Sequence, residues 1–125
     1  MMTLSEVVKD LTCEVFCGHE KLQTNIEFGC ASDLMSDVLA FSQAGALLLT
    51  GLVNSQTIQT AYIAEIKAIV FVRGKKPNSD VIAQAKEKNI PLIGTSYSMY
   101  EACGILYKKG LVSTMVCSTI KASDE

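Results

Sequence analysis

Leu4, Val7, Val8 and Leu11 recur at the three- and four-residue spacing of one helix face, and Thr3 with Glu6 three residues on forms a capping-box pattern. The chain therefore opens with a predicted short helix ending near Leu11. The period then drops to two. Cys13, Val15 and Cys17 alternate with other residues, which predicts a strand over 13–17 with those three on its buried face. After the polar turn Gly18-His19-Glu20-Lys21, the alternation of Ile26, Phe28 and Cys30 predicts a second strand. Ser32 or Asp33 is placed to cap the next helix, whose apolar stripe is Leu34, Met35, Val38, Leu39 and Phe41, and the turn Ser42-Gln43-Ala44-Gly45 ends it.

From residue 46 a regular beat begins. The apolar run 46–50 and a glycine precede the cap Asn54 or Ser55 and a helix that turns Ile58, Ala61, Tyr62 and Ile66 inward. A strand over 68–72 leads to Asn78 or Ser79 as cap and a helix carrying Val81, Ile82 and Ala85; Pro91 opens a strand through Ile93. Ser98 and Glu101 make another capping box, Met99, Ala102, Cys103 and Leu106 a stripe, and Gly110 a stop. Unbroken apolar strands alternating with amphipathic helices are the signature of βαβ units around a sheet buried on both faces. The pattern predicts a single three-layer α/β/α domain over 1–120, with a mostly parallel sheet of about five strands and right-handed crossovers. Residues 111–120 form either an added strand or a packed tail, and 121–125 are expected to fray.

Composition narrows the functional classes. The 125 residues are 49% apolar and 19% charged, a balance that belongs to a packed domain rather than to a disordered chain. Eleven Lys and Arg against thirteen Asp and Glu leave a net charge of −2, with no basic excess for a phosphate backbone, so nucleic acid is not an expected partner. No apolar run approaches the roughly 20 residues that span a bilayer, so no membrane is expected either. Cys13, Cys17, Cys30, Cys103 and Cys117 are an odd set without a secretory leader, and the expectation is a cytoplasmic protein with reduced thiols. Cys13, Cys17 and His19 match no common zinc spacing; no metal and no cofactor is expected.

In an open parallel sheet, ligands settle at the carboxyl ends of the strands. Three loops there offer Thr50, Gly51, Asn54 and Ser55, then Arg73, Gly74, Lys75 and Lys76, then Thr95 and Ser96. Cations, hydroxyls and helix N-termini together suit an anion such as a phosphate group, although helix capping accounts for the hydroxyls without any ligand. Catalytic patterns are missing: there is no P-loop, no G-x-G-x-x-G and no G-x-S-x-G, and His19, the only histidine, sits in a polar turn.

The run Leu47-Leu48-Leu49-Thr50-Gly51, the following helix with Thr57, Gln59, Thr60 and Ala61, the strand 68–72, the Lys76-Pro77 turn and Ile90-Pro91-Leu92-Ile93-Gly94-Thr95 resemble the DRTGG domain. The resemblance extends from the first helix to about Gly110. It implies a stand-alone copy of a module otherwise fused to phosphotransacetylases and CBS-domain inorganic pyrophosphatases, and similar to the N-terminal domain of HPr kinase/phosphorylase. In those settings the module is regulatory and helps hold subunits together. Two signatures depart from the family: Gly51-Leu52-Val53 stands where the family has Gly-Asp-Arg, and Arg73-Gly74-Lys75 where it has Thr-Gly-Gly. The expectation is a non-catalytic, homodimeric regulatory module that senses a small phosphorylated or nucleotide ligand. The alternatives are an interaction scaffold or accessory subunit for a larger protein partner in a redox enzyme system, and a small enzyme using His19 or a cysteine.

Overall fold

A computed structural model of the chain describes residues 2–114. The short strand β1 (Met2–Thr3) leads into α1 (Leu4–Asp10), opened by the expected capping box: Thr3 Oγ1 accepts from the Glu6 N–H at 3.2 Å and the Glu6 carboxylate accepts from the Thr3 N–H at 3.0 Å. β2 (Glu14–Cys17) and one 3-10 turn (His19–Lys21) follow, then β3 (Asn25–Ile26), β4 (Phe28–Ala31), α2 (Met35–Phe41), β5 (Ala46–Thr50), α3 (Ser55–Ile63), β6 (Ala68–Phe71), α4 (Ser79–Glu87), β7 (Leu92–Gly94), α5 (Met99–Lys108) and β8 (Val112–Ser113).

Six strands form one sheet in the order β2-β7-β6-β5-β4-β8, parallel throughout except for β2, which runs antiparallel to β7; β1 and β3 make a separate antiparallel ribbon. The central strands read as unbroken apolar runs because both their faces are covered. Leu47, Leu49, Ala68, Val70 and Ile93 meet Leu4 and Val7 of α1 and Ala102 and Leu106 of α5. Ala46, Leu48, Ile69, Phe71 and Leu92 meet Val38 of α2, Ile58 and Ala61 of α3 and Val81 and Ala85 of α4. The three-layer α/β/α architecture expected from the sequence is therefore present, with β8 as a sixth strand.

Several local expectations are corrected. The alternating run at 26–30 is two strands, since Met2 and Ile26 pair in the ribbon whereas Phe28 pairs with Ala46 and Val112. Cys13, Val15 and Cys17 do not share a face: the register of β2 against β7 slips between Val15 and Cys17, so Cys13 and Val15 pack with the α1–α5 layer and Cys17 with the opposite one. Neither Ser32 nor Asp33 caps α2. Leu34 holds the cap position without a side-chain bond, and of the expected stripe only Met35 and Val38 are buried. Tyr62 points outward beneath Lys88, its inward place on α3 taken by Thr57 and Thr60. Residues 115–125, which include the remainder of the expected tail, lie outside the described residues.

Asn54, Asn78 and Ser98 cap α3, α4 and α5, each accepting from the backbone N–H three residues on. Replacing Asn78 with Ala should lower the unfolding free energy by about 1 kcal/mol, measurable by urea denaturation, because one N–H of α4 then loses its acceptor.

Candidate anion-binding site

β4, β5, β6 and β7 are parallel, so their carboxyl ends share one edge of the sheet. The register of β4 against β5 pairs Ala31 with Leu49, an offset of 49 − 31 = 18 residues. The same offset carries past the strand ends to Asp33 and Gly51, which meet through a side chain. The Gly51 N–H donates to Asp33 Oδ1 at 2.6 Å, and the Thr50 hydroxyl donates to the same oxygen at 3.0 Å. Thr50 is itself buried, and its Oγ1 accepts from the Leu52 N–H at 3.1 Å, which fixes the hydroxyl's aim. From the next loop the Arg73 guanidinium reaches Asp33 Oδ2 at 3.5 Å.

The backbone after β6 explains how Arg73 reaches that point. Arg73 and Gly74 both take left-handed conformations, φ 60° and 71°. Their N–H groups donate to Tyr97 O at 2.8 Å and Thr95 O at 2.9 Å, tying this loop to the one after β7. A Cβ on Gly51 would collide with the Arg73 guanidinium, so a glycine is required where the side chain crosses. Gly51→Ala should push the guanidinium away from Asp33 while changing stability by no more than about 0.5 kcal/mol, because the displaced group is the far end of an exposed side chain. A nuclear magnetic resonance comparison of the Arg73 side-chain signals with the chemical unfolding curve checks both halves.

Of the residues singled out from sequence, Thr50, Gly51 and Arg73 thus converge on one point. The others serve elsewhere. Asn54 is committed to its cap, Ser55 Oγ accepts from Gln84 Nε2 at 3.1 Å and links α3 to α4, and the Thr95 hydroxyl donates to Leu11 O at 2.7 Å. Lys76 pairs with Glu14 at 3.2 Å, and Lys75 and Ser96 are exposed. Asp33 is the residue that sequence reasoning missed.

The Asp33 carboxyl is held below its usual range, first by the Gly51 N–H; burial opposes this as the next largest effect, and the Thr50 hydroxyl and the Arg73 guanidinium add smaller contributions that lower it further. Both members of the Arg73–Asp33 pair are about half exposed, so the pair adds little stability and is readily exchanged. A backbone N–H, a hydroxyl and a guanidinium that together hold a carboxylate are also a donor set for a phosphate oxygen.

The thiols are placed differently. Burial pushes Cys13 up to about 12 and raises Cys17, Cys30 and Cys103, so these groups stay protonated and weakly nucleophilic at neutral pH. His19 lies exposed in its turn and lines a small polar pocket with Cys17 and Lys86. Among the described residues, no three His, Cys, Asp or Glu side chains gather as metal ligands, and no helix is long and apolar enough to cross a membrane.

The chain is similar in fold to the CBS and DRTGG domains of the regulatory region of a Clostridium perfringens pyrophosphatase, a structure solved in complex with the activator diadenosine tetraphosphate: TM-score 0.69 at 16% identity, over 82% of this chain and 45% of that one. It therefore spans less than half of that regulatory region. No curated protein sequence matches it. The model of the DRTGG domain matches residues 6–108, most of the length and all of the sheet between β2 and β7. The chain belongs to the DRTGG domain family.

Proposed function

We propose that this protein is a non-catalytic, cytoplasmic regulatory module that self-associates as a homodimer and senses a small phosphorylated or nucleotide ligand at the carboxyl-end loops of its sheet. The observation behind this reading is the seat of the Asp33 carboxylate: an anionic group that follows β4, held by Thr50 and Gly51 at the end of β5 and by Arg73 after β6, at an exposed edge. A phosphate group uses the same donors and carries more charge, so it competes with Asp33 for them. The pyrophosphatase regulatory region was solved with a dinucleoside polyphosphate, which makes phosphorylated nucleotides the first class to try. The raised thiols and the exposed His19 argue against the small-enzyme alternative.

A thermal-shift panel of inorganic phosphate, pyrophosphate, ADP, ATP and a dinucleoside tetraphosphate tests the sensing. A ligand at a hundredfold excess over its Kd stabilises by about 2.7 kcal/mol, enough to raise Tm by several degrees. Arg73→Ala should abolish the rise. If no phosphorylated compound stabilises the protein, the sensing role fails.

A further inference from the structure

Among the described residues, much of the outer face of α5 is left exposed. Ala102 and Leu106 point into the core, whereas Tyr100 and Tyr107 are 88% and 72% exposed, with Gly104 between them on the same face. The two tyrosines form one wall of an apolar groove of about 530 Å³ at the β4–β8 edge, whose other side includes Phe41 and Val112. Packing among the described residues gives no reason for a glycine at position 104. Among the described residues, and apart from its own helix's backbone, no atom lies within 4 Å of where its Cβ would stand, and glycine in a helix interior is less favourable than alanine. A position kept free of a side chain suits the close approach of a second backbone.

Charge identifies that backbone. Glu101 lies in the first turn of α5 and Lys108 in its last, seven residues and thus about two turns apart on one face, both exposed, with Gly104 midway. A two-fold axis through Gly104 sets two copies of α5 antiparallel. Glu101 of each then meets Lys108 of the other, the helix dipoles oppose, and each tyrosine pair enters the other copy's groove. Such self-complementarity is what an isologous interface demands. We propose that a second copy of this chain docks on this face, α5 against α5, crossing at Gly104. The proposal rests on the homodimer reading above and supplies its interface.

Sedimentation velocity on the full chain over a concentration series tests it, with circular dichroism to confirm folding. The wild type should dimerise. Gly104→Arg, at a position that is open among the described residues, should give monomer, and Lys108→Glu should weaken the dimer by about tenfold by setting like charges against each other. The double variant Glu101→Lys, Lys108→Glu should restore the dimer. A wild type that stays monomeric overturns both the dimer and this face. A dimer that survives Gly104→Arg, or a double variant no tighter than Lys108→Glu, overturns the α5 interface while leaving the homodimer reading in place, and neither result bears on ligand sensing at Asp33.

Discussion

Phe71→Ala is expected to lower the unfolding free energy by about 3–5 kcal/mol, a large part of the 5–15 kcal/mol that holds a domain of this kind together. Phe71 is fully buried and heads the largest side chains in that state. It sits on β6 near the middle of the sheet, opposite Thr50 on one side and Gly94 on the other, and packs in the layer beneath α2, α3 and α4. Neighbours on two strands and three helices leave little room for collapse around an alanine, so most of the ring's volume would persist as a cavity. Its carbonyl also accepts from the Thr95 N–H at 2.9 Å, and Arg73 stands two residues on, so loosening β6 should blur the anion site along with the core. Urea denaturation measures the loss. A change below about 1 kcal/mol would contradict the packing described for this layer.

Asp33→Asn is the second large expectation. The amide keeps an oxygen to accept from Gly51 and Thr50 but carries no charge, so an incoming phosphate no longer has to displace an anion from the Arg73 guanidinium. Binding of a phosphorylated ligand should tighten by about tenfold, the equivalent of roughly 1.4 kcal/mol. Stability should respond in the opposite sense and with a pH signature. Because the folded protein holds the Asp33 carboxyl below its usual range, the carboxylate stabilises the fold above the unfolded value of about 3.9, and that contribution is lost as pH falls through the lower folded value. The wild type should thus exceed the Asn variant slightly at neutral pH, and the gap should close in acid. Calorimetric titration and pH-dependent unfolding measure the two effects. Equal affinities would mean that Asp33 and the ligand do not share a seat.

The layers of this fold were legible in the chain because they follow from short-range pattern: the runs at 46–50 and 68–72 announce strands covered on both faces, and Thr3, Asn54 and Ser98 announce helix starts that the structure honours. What stayed hidden depends on pairing across distance. Asp33 reads locally as a helix cap, and only the register of β4 on β5 brings it to Gly51. Cys17 reads as a partner of Cys13 until the slip in β2 turns it to the other layer. Leu34, Leu39 and Phe41 read as a core stripe, yet α2 is a seven-residue helix that buries only Met35 and Val38. Apolar character alone does not say which side of so short a helix faces in. Most of the candidate site was likewise legible: Thr50, Gly51 and Arg73 belong to the two loops whose signatures depart from the family, and only the acid that joins them, Asp33, comes from a third.

The most direct measurement follows the backbone amides of isotopically labelled protein by nuclear magnetic resonance during titration with pyrophosphate or ADP. The Gly51 N–H is the donor now held by Asp33, and a phosphate that takes the seat must change its environment. Saturable shifts centred on Gly51 are expected, with Thr50 and Arg73 following, weakened by salt and lost in Arg73→Ala. Unmoved Gly51 and Arg73 signals at millimolar ligand, or saturable shifts confined to a different face, would contradict it.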